Sequence, residues 1–200
     1  MKIGIFGGSF DPVHNGHLVL AEHVRDRVGL DRVILLPAYE SPFKVGRSGT
    51  DSRHRLEMTR LAASGNEHFE VSALDVEKGK VSYTVDLMAE LHDMYPGDRL
   101  YFIAGTDSFL GIEKWMGSEE LLTRYGFAVG TRPGYRDEEL AAQAERLREK
   151  YGSEIITVNI PKVDISSTDI RRRCRDGRSI RYLVPDAVRE LIAREGLYRG

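Results

Sequence analysis

The chain has 200 residues, of which 41% are hydrophobic and 30% charged, so one domain of ordinary size with a buried core is expected. Its net charge of -2 argues against binding nucleic acid through bulk electrostatics, and no apolar run is long enough to span a bilayer. The single cysteine, Cys174, excludes an internal disulfide, and the first residues do not read as a signal peptide. We therefore expect a cytoplasmic protein that binds neither nucleic acid nor membrane. Nothing in the sequence indicates its oligomeric state.

Apolar runs of strand length alternate with helical periodicity along the chain. The apolar runs predict strands at residues 2–6, 33–36, 69–74, 100–104, 127–129 and 155–160. The periodic stretches predict helices at residues 16–28, 52–63, 83–94, 106–112, 118–125, 138–150, 167–174 and 186–194. This alternation is typical of an α/β fold, namely a Rossmann-like, doubly wound parallel sheet with helices on both faces. We expect a single domain over residues 1–200, with a C-terminal helical portion at about 165–200.

The first candidate site follows the first predicted strand, where residues 7–17 read Gly-Gly-Ser-Phe-Asp-Pro-Val-His-Asn-Gly-His. The two glycines let the backbone turn sharply and approach a ligand closely. A helix that begins near Asn15 would direct free N–H groups and its dipole at the loop, which favours phosphate. His14 and His17 are three residues apart and therefore lie on one side of the first helical turn. Such a pair could donate hydrogen bonds to phosphoryl oxygens during phosphoryl transfer.

Other interpretations of this loop are weaker. A Gly-Gly turn after a strand is common, and a lone histidine is usually polar surface. An H-x-x-H spacing could hold a metal, but the chain offers no neighbouring cysteine and no H-E-x-x-H sequence that would favour zinc. The chain also lacks the G-x-x-x-x-G-K-[ST] sequence of a P-loop, and G-x-G-x-x-G is absent from this loop.

Residues 7–17 closely resemble the [ST]-F-D-P-x-H-x-G-H signature of the HxGH nucleotidyltransferase superfamily. Within that superfamily, the whole chain is similar to bacterial nicotinate-nucleotide adenylyltransferases. The resemblance implies that His14 and His17 are catalytic. It also implies that this loop binds ATP through Gly7, Gly8, Ser9, Phe10 and His17, and that Ser9 contacts the mononucleotide as well.

A second motif lies near the other end of the chain, where residues 165–171 read Ile-Ser-Ser-Thr-Asp-Ile-Arg. Taken alone, its hydroxyl residues are ordinary helix caps, although surplus hydroxyl groups can hold an anion. Arg171 falls in the first helical turn, where a cation opposes the dipole unless an anion is bound nearby. The segment resembles the second superfamily signature, I-S-S-T-x-I-R, which implies a catalytic Arg171. The implied ATP contacts here are Ser166, Ser167, Thr168 and Arg171.

Arginines continue beyond this motif, and they leave a nucleic-acid patch open as an alternative. Aspartates dilute the basic run and the chain is slightly acidic overall, so a solvated helix that partly faces phosphate is favoured. The arginines concerned are Arg172, Arg173, Arg175, Arg178 and Arg181.

A proline-stiffened loop at residues 37–44 ends in Lys44, a mobile cation that could equally be ordinary surface. The nicotinate-nucleotide family usually has P-H-K here, and this chain has Phe43 in place of the histidine. The resemblance implies a catalytic and mononucleotide-binding role for Lys44, whereas no role of the missing histidine is carried over.

Residues 82–86 resemble the S-Y-T-x-D motif of the family, which implies mononucleotide contacts for Tyr83 and Thr84. The family often continues with Thr-Leu, where this chain has Leu87 and Met88. Trp115 would normally be a packing residue, but the resemblance implies that its face stacks on the pyridine ring.

Two further segments resemble parts of the family associated with the nucleotides. The sequence at 105–107 followed by Trp115 matches a G-x-D…W pattern, and residues 132–134 read Arg-Pro-Gly. The ATP contacts that the resemblance implies here are Gly105, Asp107 and Arg132.

The resemblance as a whole implies that ATP and nicotinate mononucleotide react to give nicotinate adenine dinucleotide and pyrophosphate. Catalysis would combine positioning with charge stabilisation by the four catalytic residues and Mg²⁺, which would ride on the phosphates without protein ligands. Three alternatives stay open: an enzyme that prefers nicotinamide mononucleotide, a phosphopantetheine adenylyltransferase, and a catalytically silent nucleotide- or RNA-binding regulator. Phosphopantetheine enzymes tend to be shorter and to carry threonine at the position of His14, and the intact histidines and Arg171 argue against a silent regulator.

Overall fold

The computed structural model describes residues 1–40, 49–131, 137–161 and 163–199. Its strands are β1 (Lys2–Gly8), β2 (Arg32–Pro37), β3 (Phe69–Val71), β4 (Arg99–Gly105), β5 (Gly126–Gly130) and β6 (Ile155–Val158). They form one sheet in the order β3-β2-β1-β4-β5-β6, and β4 pairs in parallel with both β1 and β5. This is the strand order of a doubly wound Rossmann-like sheet, with its direction of winding reversed between β1 and β4. The predicted α/β fold class is confirmed.

The helices follow the strands closely in sequence, as the periodicity predicts. They are α1 (Asn15–Val28), α2 (Ser52–Ala63), α3 (Leu74–Lys78), α4 (Thr84–Met94), α5 (Thr106–Leu110), α6 (Ser118–Arg124), α7 (Asp137–Tyr151), α8 (Ser167–Arg175) and α9 (Asp186–Arg194). A 3-10 turn occupies Ile112–Lys114. Within the described ranges, every helix is too short or too polar to cross a bilayer.

Two predicted elements differ from the structure. The strand predicted at 69–74 ends at Val71, and the apolar residues beyond it belong to the short helix α3. The hydroxyl of Ser72 accepts a hydrogen bond from the N–H of Leu74 at 3.2 Å, which favours a turn over continued strand pairing. The helix predicted at 106–112 is α5 followed by the separate 3-10 turn, because the chain bends at Gly111.

The chain folds as two compact units. Unit 1 comprises Met1–Gly7, Leu20–Ile34 and Tyr83–Val163. Its core contains fully buried side chains from β1, β4 and β5, which are worth about 1.5–3 kcal/mol each when removed from water. Gly130 has no room for a side chain, since a Cβ there would lie 2.1 Å from the Cδ1 atom of Leu20.

Unit 2 comprises Gly8–Val19, Leu35–Ser82 and Asp164–Gly200. Helix α2 packs against α9 and β3 and buries Met58, while α9 buries Val188. Unit 2 therefore brings together three sequence segments that are far apart in the chain, including both candidate phosphate motifs. The predicted single domain over residues 1–200 stays a prediction.

Candidate active site

Loop 1, defined here as residues 8–17, connects β1 to the first turn of α1. Phe10 adopts a positive φ of 45° and buries its ring beneath the loop. A Cβ at Gly8 would lie 3.1 Å from the Cζ atom of that ring, so a larger residue there would press on the ring. The N–H of Ala38 donates to the carbonyl oxygen of Gly8 at 2.9 Å and fixes the start of the loop.

The two histidines of loop 1 form a stacked pair. Their ring centroids are 3.6 Å apart with 24° between the planes, and the ring of Phe10 meets that of His17 edge-on at 5.1 Å. The backbone N–H of His14 donates to Nδ1 of His17 at 3.2 Å. Since Nδ1 accepts this bond, neutral His17 carries its proton on Nε2 and can donate from there. The stacked pair leaves little room at Gly16, where a Cβ would lie 3.0 Å from Nδ1 of His14.

More backbone N–H groups in the first turn of α1 are hydrogen-bonded within the protein than the sequence predicts. The N–H of Asn15 donates to the carbonyl oxygen of Leu183 at 2.9 Å, and its side-chain amide donates to the carbonyl oxygen of Tyr182 at 2.7 Å. The N–H of His17 donates to the carbonyl oxygen of His14 at 2.9 Å. The prediction of free N–H donors at this helix start is therefore wrong for Asn15 and His17. Those groups hold the loop in place.

The hydroxyl residues at the start of α8 have distinct partners. Ser166 is the N-cap, and its Oγ accepts from the N–H of Asp169 at 3.2 Å. Ser167 donates from its Oγ to the carbonyl oxygen of Pro12 in loop 1 at 2.9 Å. The sequence suggests that surplus hydroxyl groups here could hold an anion. The hydroxyl of Ser166 is not surplus, because it caps the helix. The bond from Ser167 joins the two sequence motifs directly.

Arg171 joins the same two motifs. Its Nη1 donates to the carbonyl oxygen of Asp11 at 2.6 Å and lies 4.0 Å from the Asp11 carboxylate. Its Nη2 donates to the Oγ1 atom of Thr168 at 3.4 Å. These contacts place a guanidinium group, 37% exposed, beside loop 1. A group held in this way can present its remaining N–H donors to a bound anion.

A buried arginine that the sequence did not single out donates a hydrogen bond to loop 1. Arg55 is only 6% exposed, and among the described residues its acceptors are backbone carbonyl oxygens. Burial lowers its pKa, although the neighbouring Asp11 carboxylate acts in the opposite direction. The acceptors are those of Ser9 (2.7 Å), Ala38 (2.6 Å), Tyr39 (2.6 Å) and Thr50 (3.0 Å).

Tyr198, near the C-terminus, is the second residue that the sequence analysis missed. Its hydroxyl donates to Oδ1 of Asp11 at 2.7 Å, and its backbone adopts a positive φ of 65°. Burial, and then the charge of Asp11, raise the pKa of Tyr198 well above its ordinary value. The hydroxyl therefore stays a donor to the carboxylate. No local pattern in the sequence marks Tyr198, because its role depends on a partner 187 positions away.

The candidate mononucleotide residues of unit 1 lie on helix starts and turns. Tyr83 is the N-cap residue of α4 and is 41% exposed, and Thr84 begins that helix. Trp115 follows the 3-10 turn and meets the ring of Phe102 edge-on, with centroids 5.7 Å apart. The planes of the two rings are 85° apart.

The candidate ATP residues of unit 1 follow strand ends. Gly105 is the last residue of β4 and is in register with Gly130 of β5. Asp107 lies in the exposed first turn of α5. Gly7 lies within β1, where a Cβ would be an ordinary 3.5 Å from the ring of Phe102. The predicted site residues Lys44 and Arg132, and Phe43 beside Lys44, lie outside the described residues.

A metal centre formed by the protein alone would need several histidine, cysteine, aspartate or glutamate side chains close together. Within residues 1–40, 49–131, 137–161 and 163–199, no three of them come together in a way that could hold an ion.

Comparison with known proteins decides the family. Residues 5–173 match the cytidylyltransferase-like family model, a span that runs from β1 through Arg171. The chain is 43% identical over 201 residues to a probable nicotinate-nucleotide adenylyltransferase of Thermoanaerobacter sp. (strain X514), covering 100% of this chain and 95% of the relative. The chain belongs to the nicotinate-nucleotide adenylyltransferase family. The resemblance noted in loop 1 and residues 165–171 is thereby confirmed.

Other relatives in the nicotinate-nucleotide adenylyltransferase family and one solved structure agree. A probable nicotinate-nucleotide adenylyltransferase of Desulfitobacterium hafniense (strain Y51) is 42% identical over 198 residues, with 99% of this chain and 96% of the relative covered. The structure of Plasmodium falciparum nicotinic acid mononucleotide adenylyltransferase complexed with NaAD has a TM-score of 0.80. It covers 98% of this chain and 97% of that one at 21% identity, and so supports the fold.

Proposed function

We propose that this chain transfers the adenylyl group of ATP to nicotinate mononucleotide. A phosphate oxygen of the mononucleotide attacks the α-phosphorus of ATP and forms the new P–O bond. The bond from that phosphorus to the oxygen bridging the β-phosphate breaks, and pyrophosphate leaves with the electron pair. The products are nicotinate adenine dinucleotide and pyrophosphate, and no covalent enzyme intermediate is needed.

One observation carries the proposal: the two signature segments of the family meet in unit 2. Ser167 and Arg171 donate to the consecutive carbonyl oxygens of Pro12 and Asp11. The stacked histidines and the guanidinium group thus belong to one cluster, formed by loop 1 and the start of α8. Fixed donors of this kind suit a reaction in which phosphate charge shifts toward a leaving group, because little reorganisation is needed during the step.

Within this cluster the histidines serve the phosphoryl oxygens. His17 donates from Nε2 to the oxygen that gains charge in the transition state, and its tautomer is set by the N–H of His14. His14 supports the ring of His17 from its stacked face and contributes a second imidazole. The glycines and aromatic ring of loop 1 shape the surface on which ATP lies. The ATP contacts proposed in this loop are Gly7, Gly8, Ser9, Phe10 and His17.

The start of α8 binds the β- and γ-phosphates. Arg171 supplies the cation, and the helix dipole favours the anion at the same end of the nine-residue helix. Ser167 can donate to a phosphate oxygen once its hydroxyl rotates away from the carbonyl oxygen of Pro12. The ATP contacts proposed here are Ser166, Ser167, Thr168 and Arg171.

The remaining contacts are proposed for residues outside this cluster. Trp115 would stack on the pyridine ring, because an aromatic face offers a complementary surface to a flat heterocycle. Ser9, Lys44, Tyr83 and Thr84 complete the proposed mononucleotide site, with Lys44 also stabilising charge. Gly105, Asp107 and Arg132 are the further proposed ATP contacts.

Mg²⁺ is proposed to accompany ATP, with the phosphates as its main ligands. When bound it neutralises charge on the polyphosphate and so eases departure of pyrophosphate. The protein's own contribution is to orient the phosphates through loop 1 and α8.

The proposal is tested by measuring pyrophosphate release from ATP and Mg²⁺ with three acceptors in parallel. Nicotinate mononucleotide should support release with the highest kcat/KM, and the dinucleotide should form in equal amount. Nicotinamide mononucleotide and phosphopantetheine serve as matched alternatives. The assignment would be overturned if none of the three acceptors supported pyrophosphate release, or if either alternative gave a higher kcat/KM.

A further inference from the structure

Backbone strain in the described part of the chain gathers at loop 1. Three residues other than glycine have positive φ there: Phe10 at 45°, Tyr182 at 66° and Tyr198 at 65°. Phe10 belongs to the loop, and the carbonyl oxygen of Tyr182 accepts from Asn15 within it. The hydroxyl of Tyr198 reaches Asp11. Such conformations are unfavourable for residues other than glycine and persist only where surrounding contacts fix them.

The hydrogen bond between Tyr198 and Asp11 bears on which oxygen atom of Asp11 the Arg171 guanidinium group contacts. The Arg171 guanidinium donates to the carbonyl oxygen of Asp11 at 2.6 Å, whereas its ion pair with the carboxylate of the same residue is long, at 4.0 Å. Tyr198 donates to that carboxylate from the other side at 2.7 Å. Without the hydroxyl, the carboxylate would gain by turning toward Arg171 and forming a charge-assisted, bidentate pair. A guanidinium so engaged would have fewer donors left for phosphate.

We propose that Tyr198 is a positioning residue for adenylyl transfer: by holding the Asp11 carboxylate away from Arg171, it keeps the guanidinium available to the ATP polyphosphate. This inference rests on the proposed function, since it assigns that role to Arg171. Tyr198 is assigned no contact with substrate and acts on Arg171 through Asp11. The hydroxyl of Tyr198 thereby links a segment 187 positions away in the chain to loop 1. A second hydrogen bond joins its hydroxyl to the side chain of Thr50.

The first test is Tyr198→Phe, which removes the hydroxyl and keeps the buried ring. The KM for ATP should rise about tenfold, the value of one hydrogen bond to a charged group. The KM for nicotinate mononucleotide should stay within about twofold, because Arg171 is not assigned to that substrate. A variant that melts normally and keeps the wild-type KM for ATP overturns the proposal.

Tyr101→Phe is the matched control. Its hydroxyl donates to the Glu154 carboxylate at 2.9 Å in unit 1, so the same chemical contact is lost elsewhere. That variant should lower Tm without changing either KM. An equal rise in the KM for ATP would show a general stability effect and overturn the proposal.

The decisive variant combines Tyr198→Phe with Asp11→Asn. The amide cannot compete as an anion for Arg171, so the double variant should recover most of the ATP affinity that the single variant loses. A purely structural role for Tyr198 predicts no recovery, and that result overturns the proposal. If Tyr198→Phe does not fold, the double variant is compared with the wild type directly, and a KM for ATP more than about tenfold higher overturns it. Wild-type activity is measured first, so failure of the proposed function is recognised separately.

Discussion

Loop 1 in unit 2 and the candidate mononucleotide residues in unit 1 are supported in different ways. Three successive parts of loop 1 are each bonded by a side chain from a distant segment. Arg55 bonds Ser9, Arg171 bonds Asp11, and Ser167 bonds Pro12. In unit 1, by contrast, Tyr83 is 41% exposed at a helix start, and Trp115 is half-buried after a 3-10 turn.

The difference matches the two tasks assigned to these regions. Stabilising charge during phosphoryl transfer requires donors fixed in advance, and small displacements cost rate. Recognising a flat ring requires a complementary aromatic surface and tolerates adjustment of side chains. We therefore expect substitutions around loop 1 to change turnover, and substitutions in unit 1 to change substrate affinity or stability.

The largest effect should come from His17→Ala. Loss of the Nε2 donor should lower kcat by about 10²–10³-fold, the value of one preorganised donor to a developing charge. His23→Ala, on the same helix but beyond loop 1, is the control and should retain turnover. Steady-state kinetics with thermal unfolding separates catalysis from folding. Near wild-type kcat/KM in a folded His17→Ala protein would remove the histidine from the mechanism.

Arg55→Met tests whether the support beneath loop 1 matters for turnover. The substitution leaves four carbonyl oxygens without their donor and should cost about 3 kcal/mol of unfolding free energy. In the folded fraction, kcat/KM for ATP should fall more than about tenfold, because Ser9 loses its fixed position. Arg53→Met changes an exposed arginine on the same helix, and it should alter neither the unfolding free energy nor kcat/KM for ATP. Denaturant titration and kinetics on both variants check this. Full activity in folded Arg55→Met would show that turnover does not depend on the hydrogen bonds from Arg55 to loop 1.

Trp115→Ala probes unit 1. Loss of ring stacking should raise the KM for nicotinate mononucleotide about fivefold to tenfold and leave the KM for ATP unchanged. Trp115→Phe keeps an aromatic face and should recover most of the affinity. Kinetics with each substrate varied in turn gives both constants. A rise confined to the KM for ATP would assign Trp115 to the other nucleotide.

The smallest effect is expected at Glu113, in an ion-pair cluster of unit 1. Hydrogen bonds from Arg146 and then Lys150 lower the pKa of Glu113 to about 2. A depressed carboxyl pKa stabilises the fold above its ordinary value of 4.5, and this contribution is lost as the pH falls toward 2. Since the cluster is solvent-accessible, Glu113→Gln should lower Tm by roughly 2 °C or less at neutral pH.

Glu119→Gln, an exposed carboxylate without this cluster, is the control for that measurement. Melting curves should show the Glu113→Gln difference shrinking from pH 5 to pH 2, with turnover unchanged. A constant or growing difference would contradict the stated sign. A loss of turnover would show that unit 1 ion pairs influence catalysis, contrary to the comparison.

The sequence predicts the fold well because hydrophobic periodicity is local. Residues 186–194 and 52–63 are helices with the predicted bounds, while α3 was missed because Leu74 and Val76 extend an apolar run. The identity of the loop 1 histidines could be read from their motif. Their stacking and the tautomer of His17 could not, since both depend on how the loop closes.

The supporting residues of the site lie beyond sequence reasoning for a physical reason. Arg55 reads as one polar residue on an amphipathic helix, and its burial becomes visible only when its carbonyl acceptors are in place. Tyr198 is one of nine tyrosines, and its contact with Asp11 spans nearly the whole chain. Long-range bonds of this kind leave no periodic or local signal.

The most direct test of the central claim follows the phosphorus atoms of ATP. The enzyme is incubated with nicotinate mononucleotide, Mg²⁺ and ATP labelled either at the α- or at the γ-phosphate. Adenylyl transfer at loop 1 predicts α-label in the dinucleotide and γ-label in pyrophosphate, and His17→Ala should slow both equally. Transfer of γ-label to the mononucleotide, or release of γ-label as free phosphate without dinucleotide, would contradict the account.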